Sequence, residues 1–195
     1  MGINHYLVNQ FNNKIINTLI TQDRLDAMVA LAKKAPDSGY FAEVGVYKGG
    51  SLKHLALSFP ERFILGFDSF EGLPSEQWSE MEVHTPGEFS DTSMEAVISF
   101  LNECNNSVRL LKGIFPGSAE SVKDCKFSFI HIDTDFYLSV KACIEWFWPR
   151  LLTGGIMVFD DYGWPNCPGV QKALVEFGKP FKTTGAKYQA FMMKN

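Results

Sequence analysis

The segment YFAEVGVYKGGS, residues 40–51, runs from a short apolar strand into a glycine-rich turn, and its reading governs that of the whole chain. Tyr40–Val44 is predicted as a strand that ends at Gly45. The glycines that follow permit a tight turn and close approach of a ligand to the backbone, and a helix is predicted over about 50–58. The same unit recurs outward from this point. Strands are predicted at 62–67, 108–111, 127–132 and 156–159, with helices at 92–104, 136–151 and 170–177 between them. The run at 127–132 is continuously apolar, as a strand buried on both faces requires. Strands alternating with helices imply a parallel sheet covered on both sides. Residues 181–183 and 189–193 are predicted to close the chain as an antiparallel hairpin.

The fold class is therefore α/β: a Rossmann-like, doubly wound, mostly parallel sheet with helices on both faces and a C-terminal antiparallel hairpin. A chain of 195 residues fits one domain, 1–195. Leu25, Met28, Val29, Leu31 and Ala32 recur at a helical period, which extends a predicted helix back to Tyr6 and makes 1–36 an N-terminal helical segment. Residues 74–92 are polar and carry Pro74, Pro86 and Gly87. Long loops of this kind in compact domains are often lids over sites.

Composition excludes several classes of function. Hydrophobic residues are 46% and charged residues 21%, with 17 phenylalanines, so the chain can build an ordinary packed core. A net charge of −4 without a basic cluster argues against a nucleic-acid partner. No stretch approaches the roughly 18 apolar residues of a membrane span, and no signal peptide is evident. Four scattered cysteines match neither a zinc motif nor a disulfide framework. A reduced, cytoplasmic setting is expected, with a small-molecule partner and room for a homo-oligomer.

In parallel α/β sheets, ligands bind beyond the carboxyl ends of the strands, at the point where strand order reverses. Glu43-Val44-Gly45, Asp68, Asp133 and the pair Asp160-Asp161 all fall at such ends. Any one acid there would serve as a helix cap. Four strand ends bearing acids on one edge repel one another unless a cation is present. An acid before the glycine turn suits a ligand with a cationic amine, and Asp68 is placed to accept hydrogen bonds from ribose hydroxyls.

At these residues the chain resembles the class I S-adenosylmethionine-dependent methyltransferases. It is most similar to the macrocin O-methyltransferase (TylF-type) family, through FAEVGVYKGGS (41–51), GFDSFEGLP (66–74), and the stretch 130–162 that contains HIDTDFYLS and GGIMVFDDYG. The resemblance implies a metal-dependent O-methyltransferase using S-adenosyl-L-methionine and Mg2+ or Mn2+, with a small-molecule hydroxyl as acceptor. By motif, Glu43, Gly45 and Ser51 would line the methionine end of the cofactor and Asp68 its ribose. Asp133, Asp160 and Asp161 would hold the metal. Asp133 would also contact the cofactor and accept the proton.

Other residues carry two readings each. Asp135 is read as the N-cap of the helix at 136, with a site role as the alternative. His84 is read as a solvated loop residue, or a substrate contact. His131 is read as a buried, satisfied histidine. Phe115 would flank adenine or pack in the core, Trp146 and Trp148 belong to core or interface, and Trp78 and Phe89 would cover substrate from the lid. Rival functions are a haloacid-dehalogenase-type phosphohydrolase, which Asp133-x-Asp135 also resembles, a related metal-dependent hydroxylase, and an inert cofactor-binding module.

Overall fold

Alternating apolar side chains on five parallel strands explain why this sequence builds a sheet with two buried faces. The computed structural model describes residues 7–11, 14–102, 104 and 108–195. The five strands are β3 (Tyr40–Val44), β4 (Ile64–Asp68), β5 (Val108–Lys112), β6 (Phe127–Ile132) and β7 (Leu151–Asp160). Side chains along a strand point to opposite faces in turn. Phe41, Ile64, Phe129, Ile156 and Val158 accordingly enter one core layer, with α1 (Gln22–Ala32), α2 (Gly50–Ser58) and α3 (Met94–Phe100). Ala42, Leu65, Ile130, Met157 and Phe159 enter the other, with α4 (Tyr137–Phe147) and α5 (Pro168–Phe177).

The seven-stranded sheet has the order β5-β4-β3-β6-β7-β9-β8, in which β8 (Phe181–Thr183) and β9 (Gln189–Met193) form the expected antiparallel hairpin. β9 also pairs antiparallel with β7. From β3 the chain steps outward to β4 and β5, then returns to the other side of β3 as β6. The reversal between β3 and β6 opens a crevice at their carboxyl ends, where the backbone N–H of Asp133 donates to the Val44 carbonyl at 2.9 Å.

The N-terminal helical segment at 1–36 is corrected. Leu7–Phe11 (β1) and Lys14–Thr18 (β2) pair as an antiparallel ribbon, and the helix begins only at Gln22. Only the residues from Leu25 onward carry a helical period. The ribbon contains Val8, Ile15, Ile16 and Thr18, whose branched side chains favour extended backbone. Residues 1–6 of that segment lie outside the described residues. A second correction concerns residue 151. The helix at 137 does not reach it, because Pro149 has no N–H for the helical ladder. α4 ends at Phe147, a short 3-10 turn spans Trp148–Arg150, and β7 starts at Leu151. The third helix is confined to 94–100, with Ser93 as its N-cap accepting from the Ala96 N–H at 3.1 Å.

Gly45 is where the turn and the sheet meet. Its φ is +90°, and a Cβ there would lie 1.8 Å from the carbonyl oxygen of Asp133. Any side chain would push β3 and β6 apart at the crevice. Gly45→Ala is therefore expected to lose about 3 kcal/mol or more of stability in urea unfolding. A loss below 1 kcal/mol would show that the two strand ends can separate freely.

Candidate active site

A cavity of about 330 Å³ lies over the β3/β6 crevice. The glycine turn forms one wall through Gly45, Val46, Tyr47 and Ser51, and the floor carries Asp133, Asp135, Asp160 and Asp161. Asp68, Phe115 and the loop residues Leu73, Gln77, His84 and Phe89 complete it.

That loop is docked on the domain. The Leu73 N–H donates to the Glu88 carbonyl and the Gly87 N–H to the Leu73 carbonyl, both at 2.9 Å, so its base is closed on itself. Gln77 Nε2 donates to the Phe115 carbonyl at 2.8 Å, and Ser139 Oγ donates to Gln77 Oε1 at 2.7 Å. Glu82 Oε1 accepts the Tyr137 N–H at 2.8 Å at the start of α4. Residues of this loop thus line one side of the cavity. Phe89 lines it, whereas Trp78 is absent from its wall and 40% exposed.

The capping role read for Asp135 is corrected by the same contact. Phe136 is the N-cap of α4 and makes no side-chain cap, and it is Glu82 that serves the first turn. Asp135 sits at φ +58° and faces the cavity, accepting from Cys167 Sγ at 3.3 Å. His84 also departs from the solvated reading. It is half-buried on the cavity wall, with Nδ1 2.7 Å from Glu88 Oε2. Phe115 serves both of its readings, lining the cavity and stacking on Phe147 with centroids 5.1 Å apart. Trp146 and Trp148 pack against the core.

Asp68 ties the glycine turn to β4. Its Oδ2 accepts the N–H groups of Val46 (2.8 Å) and Tyr47 (2.7 Å), and Oδ1 accepts that of Phe70 (2.7 Å). It remains on the cavity wall, with room for one further donor.

Glu43 lies beneath the cavity, fully buried and not on its wall. Its Oε1 accepts from Ser51 Oγ at 2.5 Å and from His131 Nδ1 at 2.8 Å. His131 Nε2 stands 3.9 Å from Asp160 Oδ2 and makes no hydrogen bond, so this buried histidine is only half satisfied. Burial alone would push the His131 pKa down. The hydrogen bond and charge of Glu43, with the charge of Asp160, more than reverse this and hold it above the ordinary histidine value. Ser51, Glu43, His131 and Asp160 thus form a polar row beneath the site, crossing β3, β6 and β7.

Asp133, Asp160 and Asp161 come to neighbouring strand ends, as expected, and crowd one another. Burial first, then the charges of Asp160, Asp161 and Asp135, holds the Asp133 carboxyl well above the usual range. Burial and the charges of Asp135 and Asp160 push Asp161 up to about 7. Part of the repulsion is offset from within the chain. Arg24 of α1 places Nη1 3.0 Å from Asp161 Oδ1 and 3.4 Å from Asp160 Oδ2. Gln189 Nε2 donates to Asp160 Oδ1 at 2.9 Å and to the Arg24 carbonyl at 3.2 Å.

Arg24 and Gln189 are site residues that sequence reading misses. Arg24 did leave a signal: it shares the apolar helix face of Met28, Leu31 and Ala32, where a charge must find a partner. Gln189, inside an apolar strand, left none.

Comparison with known proteins agrees with this geometry. The family model described as macrocin-O-methyltransferase (TylF) matches residues 11–184. The chain is 27% identical over 172 residues to the 8-demethyl-8-(2,3-dimethoxy-alpha-L-rhamnosyl)-tetracenomycin-C 4'-O-methyltransferase of Streptomyces olivaceus, covering 78% of this chain and 65% of that one. It is also 27% identical over 174 residues to the mycinamicin III 3''-O-methyltransferase of Micromonospora griseorubida, covering 78% and 68%. This chain therefore spans about two-thirds of the length of these relatives. Among solved structures, the O-methyltransferase NovP superposes with a TM-score of 0.77 at 20% identity, covering 91% of this chain and 82% of that one. The calicheamicin methyltransferase CalS11 gives 0.74 at 22%, covering 90% and 81%. These structures share the fold. The phosphohydrolase and hydroxylase readings find no support among these relatives.

Proposed function

Because the chain belongs to the macrocin O-methyltransferase (TylF) family, we propose that it moves the methyl group of S-adenosylmethionine to a hydroxyl on a sugar borne by a small natural product. The named acceptors of the two relatives, a rhamnosyl tetracenomycin and a mycinamicin, support the sugar class. The observation that carries the reading is that a ring of carboxylates and a glycine turn share one cavity under a loop.

The cavity suits the cofactor in chemistry. Ser51 and the turn would line the methionine end, Asp68 and the Phe115 ring would hold the ribose and adenine, and the acids would face the cationic amine and sulfonium. Glu43 acts from below, by holding Ser51. The bound cofactor supplies an electrophilic methyl group. The loop residues and the floor would hold the acceptor oxygen against it, and positioning of this kind supplies roughly 7–11 kcal/mol.

Asp133, Asp160 and Asp161 fit a hard divalent cation in donor type, and Asp160 Oδ2 is a buried oxygen with no hydrogen-bond partner. Arg24 offsets the charges of Asp160 and Asp161 from the side of α1. A bound Mg2+ or Mn2+ would lower the pKa of the acceptor hydroxyl. We assign the hydroxyl proton to Asp133. Asp135 faces the same space, and burial raises its carboxyl too. Comparing Asp133→Asn with Asp135→Asn separates the two.

The test combines calorimetry with a labelled-methyl assay over sugar-bearing acceptors, with and without chelator. Micromolar binding of S-adenosylmethionine and its demethylated product is expected, with no binding of NAD. Label should enter an acceptor only when divalent metal is present. Binding of NAD, or of neither sulfur compound, would remove the proposed function.

A further inference from the structure

Three donors of mixed type meet on the loop side of the cavity, next to the Asp133–Asp160–Asp161 corner. They are the imidazole of His84 on the loop, the carboxylate of Asp135 after β6, and the thiol of Cys167 just before α5. Their ligand atoms all lie within 4.8 Å of one another, and among the described residues no other set of three such groups does so. A tetrahedral site with bonds of the Zn2+ kind needs donors about 3.3–3.8 Å apart. The Cys167 Sγ–Asp135 Oδ1 pair already stands at 3.3 Å. Closing the rest takes a shift of roughly an ångström in the loop.

The second observation is the way His84 is held. Glu88 Oε2 lies 2.7 Å from its Nδ1, while Glu88 Oε1 accepts from the Thr85 N–H at 2.7 Å and Thr85 Oγ1 at 2.9 Å. The ring is thereby oriented, and Nε2 is left as its remaining donor. A carboxylate behind a histidine is the arrangement that fixes tautomer and aim at metal sites. Phe89 packs on the same ring, with centroids 5.6 Å apart, and Cys167 is 2% exposed.

We propose that His84, Asp135 and Cys167 form a binding site for a divalent d-block cation of the Zn2+ type, which locks the loop onto the cavity floor. Imidazole and thiolate select such ions, whereas Mg2+ prefers oxygen, so the two cations sort to different corners. On binding, a metal–sulfur bond forms and the Cys167 proton leaves to solvent. The bound ion bridges the loop, β6 and α5 and takes Asp135 out of contact with any acceptor. The inference rests on this donor set alone and stands apart from the methyl-transfer reading.

Titration of the full chain with Co2+ in excess Mg2+ tests it. One equivalent should produce a thiolate-to-cobalt charge-transfer band in the near ultraviolet, and Zn2+ should abolish it. Cys167→Ser should remove the band, and His84→Ala or Glu88→Gln should weaken Co2+ binding about 10–100-fold. Absence of a thiolate band in the wild-type protein overturns the proposal, as does an unchanged band in Cys167→Ser. Should Cys167→Ser fail to fold, the two loop variants decide. Wild-type affinity in both would overturn the site equally.

Discussion

Asp161→Asn is expected to lower metal-supported methyl transfer by about 100-fold or more, while the affinity for S-adenosylmethionine stays within a few-fold. The substitution keeps the shape of the side chain and its contact with Arg24, but removes a charged donor from the corner. The supports proposed for the cofactor lie on β3, β4 and the glycine turn. Asp160→Asn should behave alike, with some added loss of stability because Asp160 is buried against Gln189. The wild-type protein should also show a pH signature. The Asp161 carboxyl, raised to about 7, contributes stability that is full below the ordinary aspartate range and is lost as pH climbs to about 7. A divalent cation binds only the ionised form. The rise in Tm on adding Mg2+ should therefore be small at pH 5.5 and large at pH 8, and much reduced in Asp161→Asn. Full turnover in excess chelator would leave these aspartates as structural groups and end the metal proposal.

Glu43→Leu should have the largest effect on folding, about 3–5 kcal/mol by urea unfolding, because it strips the partner from a buried imidazole. Ser51 Oγ and His131 Nδ1 both lose their acceptor. The sign with pH follows from the raised His131 value. Its pairing contributes stability that is fully present below the unfolded histidine pKa of about 6.5 and is lost as pH rises through the higher folded value. The gap between wild type and Glu43→Leu should thus be wider at pH 6 than at pH 9. Combining it with His131→Leu should recover much of the loss, since an apolar pair of similar volume replaces an uncompensated charge. A single variant within 1 kcal/mol of wild type would show that the row beneath the site is not held by this pair.

The two outcomes separate what the acids do. The sequence places these acids alike, each at the end of a parallel strand, and the family resemblance gives all of them ligand-facing roles. Asp133 and Asp161 do line the cavity, together with Asp160. Glu43 turned instead into the sheet, because its side chain faces His131 on β6 and Ser51 on α2. Asp68 spends most of its capacity on backbone N–H groups that fasten the turn. The chain order of strands predicts where carboxylates gather. It does not say which lone pairs remain free once their neighbours are in place.

What the sequence by itself determined is the part written in short-range periods. Apolar runs at 127–132 and 156–159, glycines after Val44, and acids at the ends of four of the five parallel strands were enough for the doubly wound sheet, its active edge and the family. These signals are local, because a strand buried on both faces and a turn needing φ above zero constrain their own residues. The paired strands Leu7–Phe11 and Lys14–Thr18 were missed where a helical period in the next segment was carried backwards. Only the tertiary structure decided what meets across long separations. Arg24 reaches Asp161 across 137 residues, Gln189 reaches Arg24 across 165, and the loop brings His84 to Asp135 and Cys167. Such pairings depend on which elements become neighbours, and burial then forces each charge to find a partner. A local pattern can mark a charge that will be buried, as on the apolar face of Arg24, but the identity of its partner exists only after the chain has folded.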